Sequence, residues 1–301
     1  MNNWLLISTV GYLLLAIEAI ITKILLSNKV KSWQLYSFYV GLLSLNGVFF
    51  APFGLKWFGY FLFFESLLTG VLFFLALVFL YKSLEKSSAS RVFILYGSVV
   101  TGASFLWEYL LLNRLFSRID LLAVLLLILG GFLVSFKFYK RRMFSNYKTV
   151  IFSGFLMALA LVMMKDIFTQ QNFITGYVFS RFGVFLSALS LMLYPEFRRV
   201  VKTSLKNKSK RDNQKNFGFI LGAKIISGTG TILINYAISL GSVTIINALV
   251  SIQYSFVFIF TMLLGLLNRK IIQEKITFQN IVFKTIGLVL VAVGIFLIYD
   301  Y

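Results

Sequence analysis

The sequence predicts an all-α polytopic membrane protein, with ten transmembrane helices arranged as two inverted five-helix repeats. Three observations carry that expectation. The first is apolarity: 59% of the residues are hydrophobic, 18% aromatic and only 13% charged, where a soluble domain carries about 25% charged residues. The second is run length. Apolar stretches last about 20 residues without alternation, enough to cross a hydrocarbon core of about 30 Å as helix, whereas barrel strands alternate over about ten. The third is an internal repeat. Tyr81, Asn113 and Arg114 recur 155 residues later as Tyr236, Asn268 and Arg269, and Gly130 finds its match in Gly294 after nine further residues.

Ten runs meet the length requirement of about 1.5 Å of rise per helical residue: 4–26, 34–55, 58–81, 91–112, 119–137, 147–167, 174–194, 217–239, 244–267 and 280–299. With only 2 prolines in the chain, most of this length can be continuous helix. The first run is too long for a signal-peptide apolar region and no small-residue cleavage site follows it, so it is expected in the mature protein. The longest connection, 195–216, is polar, carries eight Lys or Arg and starts at Pro195, a helix-stop signal. The basic linker 138–146 divides the chain into five plus five runs, 1–142 and 143–301. An odd number of spans per copy turns the second copy upside down, the plan of many secondary transporters with a midplane site.

Net charge is +19, but the basic residues lie between apolar runs, where membrane topology places them. With no basic soluble domain, nucleic acid is not an expected partner. Loops after the odd runs hold 21 Lys and Arg, against four after the even runs (Lys56, Arg114, Arg118 and Lys165). The positive-inside rule then puts the odd loops in the cytoplasm and both termini outside. Histidine and cysteine are absent, which removes the commonest general base, disulfides and zinc chemistry through His or Cys. No phosphate-binding glycine loop follows a strand, since Ser227-Gly228-Thr229-Gly230 lies inside an apolar run. No enzymatic activity, metal or cofactor is expected, and uphill transport would draw on an ion gradient or exchange.

Charges within apolar runs cost roughly 2.5–3.5 kcal/mol at mid-bilayer and therefore ask for a reason. Snorkelling accounts for Lys23, Lys165, Arg91 and Lys284, and Asp166 is read as solvated. Glu18, Glu108, Arg181 and Lys224 are not dismissed so easily, and Glu65 is intermediate. Helical spacing groups several of them with small polar residues: Lys224, Ser227, Gly228, Thr231 and Asn235 in the eighth run; Gly97, Thr101, Ser104 and Glu108 in the fourth; Thr244, Asn247, Ser251 and Tyr254 in the ninth; Gly11, Glu18 and Thr22 in the first; Glu65 and Thr69 in the third. Small residues at these offsets also serve plain helix packing. A stripe that includes Glu or Lys favours a water-accessible cavity. The expected substrate-binding set is Glu18, Tyr96, Glu108, Arg181, Lys224, Asn235, Asn247 and Tyr254, with Glu18, Glu65 and Glu108 as candidate proton carriers.

Several segments resemble the drug/metabolite transporter superfamily, specifically the EamA-like ten-helix transporters. They are Tyr81-Lys82-Ser83-Leu84 leading to Ser87-Ser88-Ala89, Gly130-Gly131 with Phe132-Leu133-Val134, Ser180-Arg181-Phe182, Asn235-Tyr236-Ala237-Ile238, Glu274-Lys275-Ile276-Thr277, Gly287 and Gly294. The resemblance departs where Asn113-Arg114 replaces Gly-Glu before the fifth helix, where a common proline in each repeat is missing, and in orientation, since that family is described with cytoplasmic termini. It implies secondary transport of a small polar metabolite by alternating access in the cytoplasmic membrane of a prokaryote. Arg181 and Lys224 favour an anionic group and Glu18 and Glu108 an amine, so an amino-acid-like zwitterion is the first expectation. The alternatives are a translocator of a phosphate-bearing or lipid-linked sugar, and a non-transporting scaffold. Expected partners are the small-molecule substrate and membrane lipids, with self-association into a homo-oligomer left open.

Overall fold

A computed structural model describes residues 3–25, 33–86, 89–135, 146–206, 214–267 and 278–300. The described residues are helical throughout apart from short turns, with no strand among them. In chain order the helices are α1 (Asn3–Leu25), α2 (Trp33–Ser44), a 3₁₀ segment (Leu45–Phe53), α3 (Tyr60–Lys86), α4 (Ala89–Leu112), α5 (Arg118–Ser135), α6 (Tyr147–Gln170), α7 (Phe173–Leu191), α8 (Pro195–Lys206), α9 (Gln214–Leu240), α10 (Val243–Ala248), α11 (Val250–Leu267) and α12 (Phe278–Asp300). Seven stretches are long and apolar enough to cross a membrane: Asn3–Ile21, Tyr60–Glu85, Leu95–Leu112, Tyr147–Gln170, Phe173–Leu191, Val243–Phe260 and Val282–Tyr299. Two more, Ser37–Phe53 and Ile225–Leu240, are apolar but shorter. Large apolar side chains such as Phe61, Phe64, Val289 and Phe296 stand exposed along these helices, as expected where lipid is the solvent. The chain is therefore an integral multi-pass membrane protein.

Two of the expected runs are not single α-helices. The run 34–55 changes from α-helix to 3₁₀ geometry at Leu45 and ends at Phe53, one residue after Pro52, which has no amide to donate and clashes with a regular helix. The run 244–267 breaks at Leu249. A third difference lies in the connection 195–216, which contains α8. Pro195 opens that helix, where a missing amide costs nothing. Phe197 and Val201, one turn apart, are buried, and Phe197 meets Trp33 of α2 at 5.9 Å between ring centroids. The landmarks Asn268 and Arg269, the Glu274-Lys275-Ile276-Thr277 motif and most of the basic linker 138–146 lie outside the described residues.

The helices pack as two compact units that interleave along the chain. One contains α1, α5 and α9–α12; the other contains α2–α4, the 3₁₀ segment and α6–α8. The sequence repeat divides the chain at 142/143 by resemblance, whereas these units are divided by contact, so the two divisions answer different questions.

In the first unit, α1 lies antiparallel to α9 and α5 antiparallel to α12. Each pair meets at glycines that face one another's backbone. A Cβ added at Gly11 would come 3.0 Å from the Gly230 carbonyl oxygen, and one at Gly230 would come 2.9 Å from that of Gly11. Gly130 and Gly287 stand in the same reciprocal relation, at 2.8 Å each way. Small residues at such crossings replace the hydrophobic drive that lipid does not supply. Just before the α10–α11 break, the hydroxyl of Tyr12 on α1 donates to the Ile246 carbonyl at 2.8 Å. That carbonyl belongs to the last turn of α10, where helix carbonyls run out of intrahelical partners.

In the second unit, α3 packs against both α6 and α7, and α4 against α6. Phe74, Val78, Val184 and Ala188 form one buried cluster; Leu80, Val92 and Val150 form another. Gly70 lies against Ser180 and Gly183 against Leu67, and the Ser153 hydroxyl donates to the Ala76 carbonyl at 2.6 Å. At one end of the unit, Asn172 caps α7 by accepting from the Thr175 amide at 2.9 Å and donates to the Gly54 carbonyl at 2.7 Å.

Gly130→Ala is expected to lower unfolding stability by about 1–3 kcal/mol through overpacking. Gly102→Ala, where an added Cβ meets nothing within 4 Å, should be neutral or slightly stabilising. Equilibrium unfolding in mixed detergent compares the two. Tyr12→Phe leaves the Ile246 carbonyl without that donor and is expected to cost about 1–3 kcal/mol in the same assay.

Candidate functional site

The α4 stripe read from spacing is a buried face. Thr101, Ser104 and Glu108 are all almost fully buried. The Thr101 hydroxyl satisfies itself on the Gly97 carbonyl at 3.0 Å, which is ordinary back-bonding within a helix. Glu108 brings a charge to the same face one turn further on, where α4 ends. Asn113 ends that helix in the left-handed conformation, φ 49°, which Asn tolerates better than other side chains. The Arg114 amide then bonds back to the Glu108 carbonyl at 3.2 Å. The Asn113-Arg114 pair, a repeat landmark in the sequence, is thus a helix stop that turns Arg114 back over the end of α4.

The end of α6 lies alongside. Lys165, Asp166 and Thr169 join Glu108, Asn113 and Arg114 around a cleft of about 480 Å³. Glu108 and Arg114 are both electrostatic neighbours of Lys165. Asp166 accepts from the Gln170 amide nitrogen at 2.8 Å and is the electrostatic neighbour of Glu65 on α3. Glu65 is half-buried and its Oε2 has no hydrogen-bond partner among the described residues. One end of this unit therefore gathers two cations and three carboxylates from α3, α4 and α6. Such a set can meet the ammonium and the carboxylate of one small solute.

Arg181, on α7 of the same unit, is 7% exposed. Its Cζ lies 4.8 Å from the Phe73 ring centroid and 4.7 Å from that of Tyr177. Tyr96 packs against the Leu80, Val92 and Val150 cluster. Glu18, Lys224, Asn235, Asn247 and Tyr254 belong to the other unit. Glu18 is half-buried on α1. Asn235 is buried on α9, donates to the Thr231 carbonyl at 2.7 Å and keeps an Oδ1 with no hydrogen-bond partner among the described residues. Asn247 is buried in α10, and Tyr254 lies on α11, an electrostatic neighbour of Tyr12. Lys224 is in α9, with its side chain outside the described residues.

Sequence reading missed Lys165, Asp166 and Arg114 as members of a site. It treated the first as a snorkelling end charge, the second as solvated and the third as a landmark. Nothing local marks them, because what joins them to Glu108 is the α4–α6 contact. The one available signal was Lys165-Asp166, adjacent opposite charges in an otherwise apolar run. Among the described residues, no cluster of His, Cys, Asp and Glu is arranged to hold a metal ion.

The fold is not confined to this chain. No family model and no curated protein matches the sequence. A solved crystal structure, described only as that of a protein, superposes with a TM-score of 0.67 over 99% of this chain and 96% of its own length, at 12% identity. Likeness at that identity concerns architecture alone. What fold and composition define together is an all-helical, multi-pass integral membrane protein whose whole-length architecture recurs at very low sequence identity.

A double-mutant cycle on Glu108→Gln and Lys165→Gln is expected to give a coupling of about 1–3 kcal/mol, the range for contacting charges in one network. Thermal unfolding of the four proteins measures it. Additive effects would separate Lys165 from Glu108 and dissolve the cleft as a charge network.

Proposed function

We propose that this protein is a secondary transporter, built as ten spans in two inverted five-helix repeats, that moves a small zwitterionic metabolite by alternating access. The observation that carries the reading is the cleft between the ends of α4 and α6, where Glu108, Arg114, Lys165 and Asp166 place both signs of charge around about 480 Å³. That volume suits a small solute, since ligand pockets run from about 300 to 1,000 Å³. Charges of both signs suit an amino-acid-like molecule better than a simple cation or anion. The EamA-like features of the sequence support the same reading. Of the three carboxyl groups in and beside the cleft, Glu65 and Glu108 are the ones through which a proton gradient could act.

Purified protein in proteoliposomes, supplied with labelled amino acids, is expected to take up at least one of them against a leak control. Glu108→Gln should reduce the initial rate roughly tenfold or more per folded molecule, in line with the loss of one charge-assisted contact. Unchanged uptake in that variant would remove Glu108 from the transport cycle. Absence of uptake or exchange for every solute tried would remove the transport reading itself.

A further inference from the structure

The middle of α7 holds a charge whose hydrogen-bonding needs the described protein does not meet. Arg181 is the ninth residue of a 19-residue apolar helix, about 12 Å from its start at about 1.5 Å per residue. Its stem is accommodated by Gly47, where an added Cβ would come 2.9 Å from Arg181 Cβ and 3.0 Å from Cγ. Its guanidinium carbon lies over the rings of both Phe73 and Tyr177, whose faces favour a cation. The ring faces supply no acceptor for the in-plane N–H bonds. Nε and Nη2 are both buried, and neither has a hydrogen-bond partner among the described residues.

Those two atoms form a functional pair. Their N–H bonds run parallel along one edge of the planar fork, the edge that meets both oxygens of a carboxylate or phosphate at once. A buried charge kept for structure is ordinarily paired and hydrogen-bonded within the protein. Here the faces are supported and the edge is not. We propose that the Nε–Nη2 edge of Arg181 is an anion subsite that receives the carboxylate of a soluble organic acid or amino acid in a two-point contact. A single guanidinium matches a single negative charge, and Phe73 and Tyr177 add no second cation, so a carboxylate fits better than a doubly charged phosphate. The inference rests on the transport reading only in naming that solute as cargo.

The test is equilibrium binding by the full-length protein in phosphatidylcholine nanodiscs, followed by thermal unfolding. The probes are the common amino acids and simple carboxylates (acetate, lactate, succinate). Each amino acid that raises the Tm is followed by its des-amino acid and its decarboxylated amine, with phenyl phosphate and phosphatidylglycerol nanodiscs as phosphate arms. The expected result is stabilisation by the amino acid and the acid but not by the amine. Arg181→Met should keep or raise the ligand-free Tm, because an apolar side chain of similar size replaces a buried charge, and should abolish the carboxylate-dependent shift. Arg181→Lys, which keeps the charge without the fork, should weaken apparent affinity roughly ten- to a hundredfold. Any of four results overturns the proposal: no carboxylate stabilises the wild type; the shift survives Arg181→Met; the amine matches the acid; or only the phosphate arms stabilise. Binding is read without turnover, so a wild type that binds but carries nothing sinks the transport reading alone. Flux that persists in Arg181→Met with unchanged affinity sinks the subsite alone.

Discussion

The contact on which much else depends is backbone against backbone at facing glycines. In lipid, apolar side chains gain nothing by turning inwards, so helices associate through close packing and the small residues that permit it. Gly11 with Gly230 and Gly130 with Gly287 each bring one helix's carbonyl to where the other's Cβ would stand. In the other unit, Gly70 and Gly183 do the same for α3 and α7. These crossings decide which helices are neighbours. Neighbour choice in turn decides which charges meet, because the cleft exists only where the end of α4 lies beside the end of α6.

Close packing also separates the polar residues that are mere packing from those that are not. Thr69, Ser83, Thr101, Thr231 and Ser255 each donate to the carbonyl one turn back, so their hydroxyls are satisfied within their own helices. They allow close approach and carry no further demand. Amides, carboxylates and guanidinium groups cannot be satisfied so cheaply, and there the demands persist: Glu65 Oε2, Gln171 Oε1, Asn235 Oδ1 and two nitrogens of Arg181. Spacing puts Glu65 on one stripe with Thr69, and Asn235 on one with Thr231. Chemistry, not periodicity, tells them apart.

Much of the fold was legible for the same reason that lipid is a demanding solvent. A run of about 20 apolar residues has few options, and among the described residues the expected ranges fall mostly on helix, apart from 54–55, 58–59, 192–194 and Leu249. Deviations come where the run meets a proline: the segment that contains Pro52 is 3₁₀ rather than α, and Pro195 opens a helix within a stretch that reads as connection. Asn113 was visible as a repeated landmark, but its left-handed conformation was not. The interleaving of the units was illegible, since α1 chooses α9 at facing glycines, while α6 chooses α3 and α4 through contacts such as Ser153 with Ala76 and Gly154 with Val99, all far apart in sequence. The site was half legible. Glu108 and Arg181 stood out as charges inside apolar runs, while Lys165, Asp166 and Arg114 looked like end charges and gained meaning only from their neighbours.

Position along the helix sharpens the difference between those two groups. Arg114, Lys165 and Asp166 lie at or near helix ends, where a long side chain reaches water within a turn or two, so their presence alone demands little explanation. Arg181 has no such exit. It sits at the centre of α7, walled by Phe73 and Tyr177 and backed by Gly47, a position whose shape is already set for a guanidinium. A buried charge in that setting gives no stability that an apolar side chain of the same volume would not match or exceed. The end charges can therefore be solvated where they stand, whereas the Nε and Nη2 of Arg181 need an acceptor that the described residues do not supply.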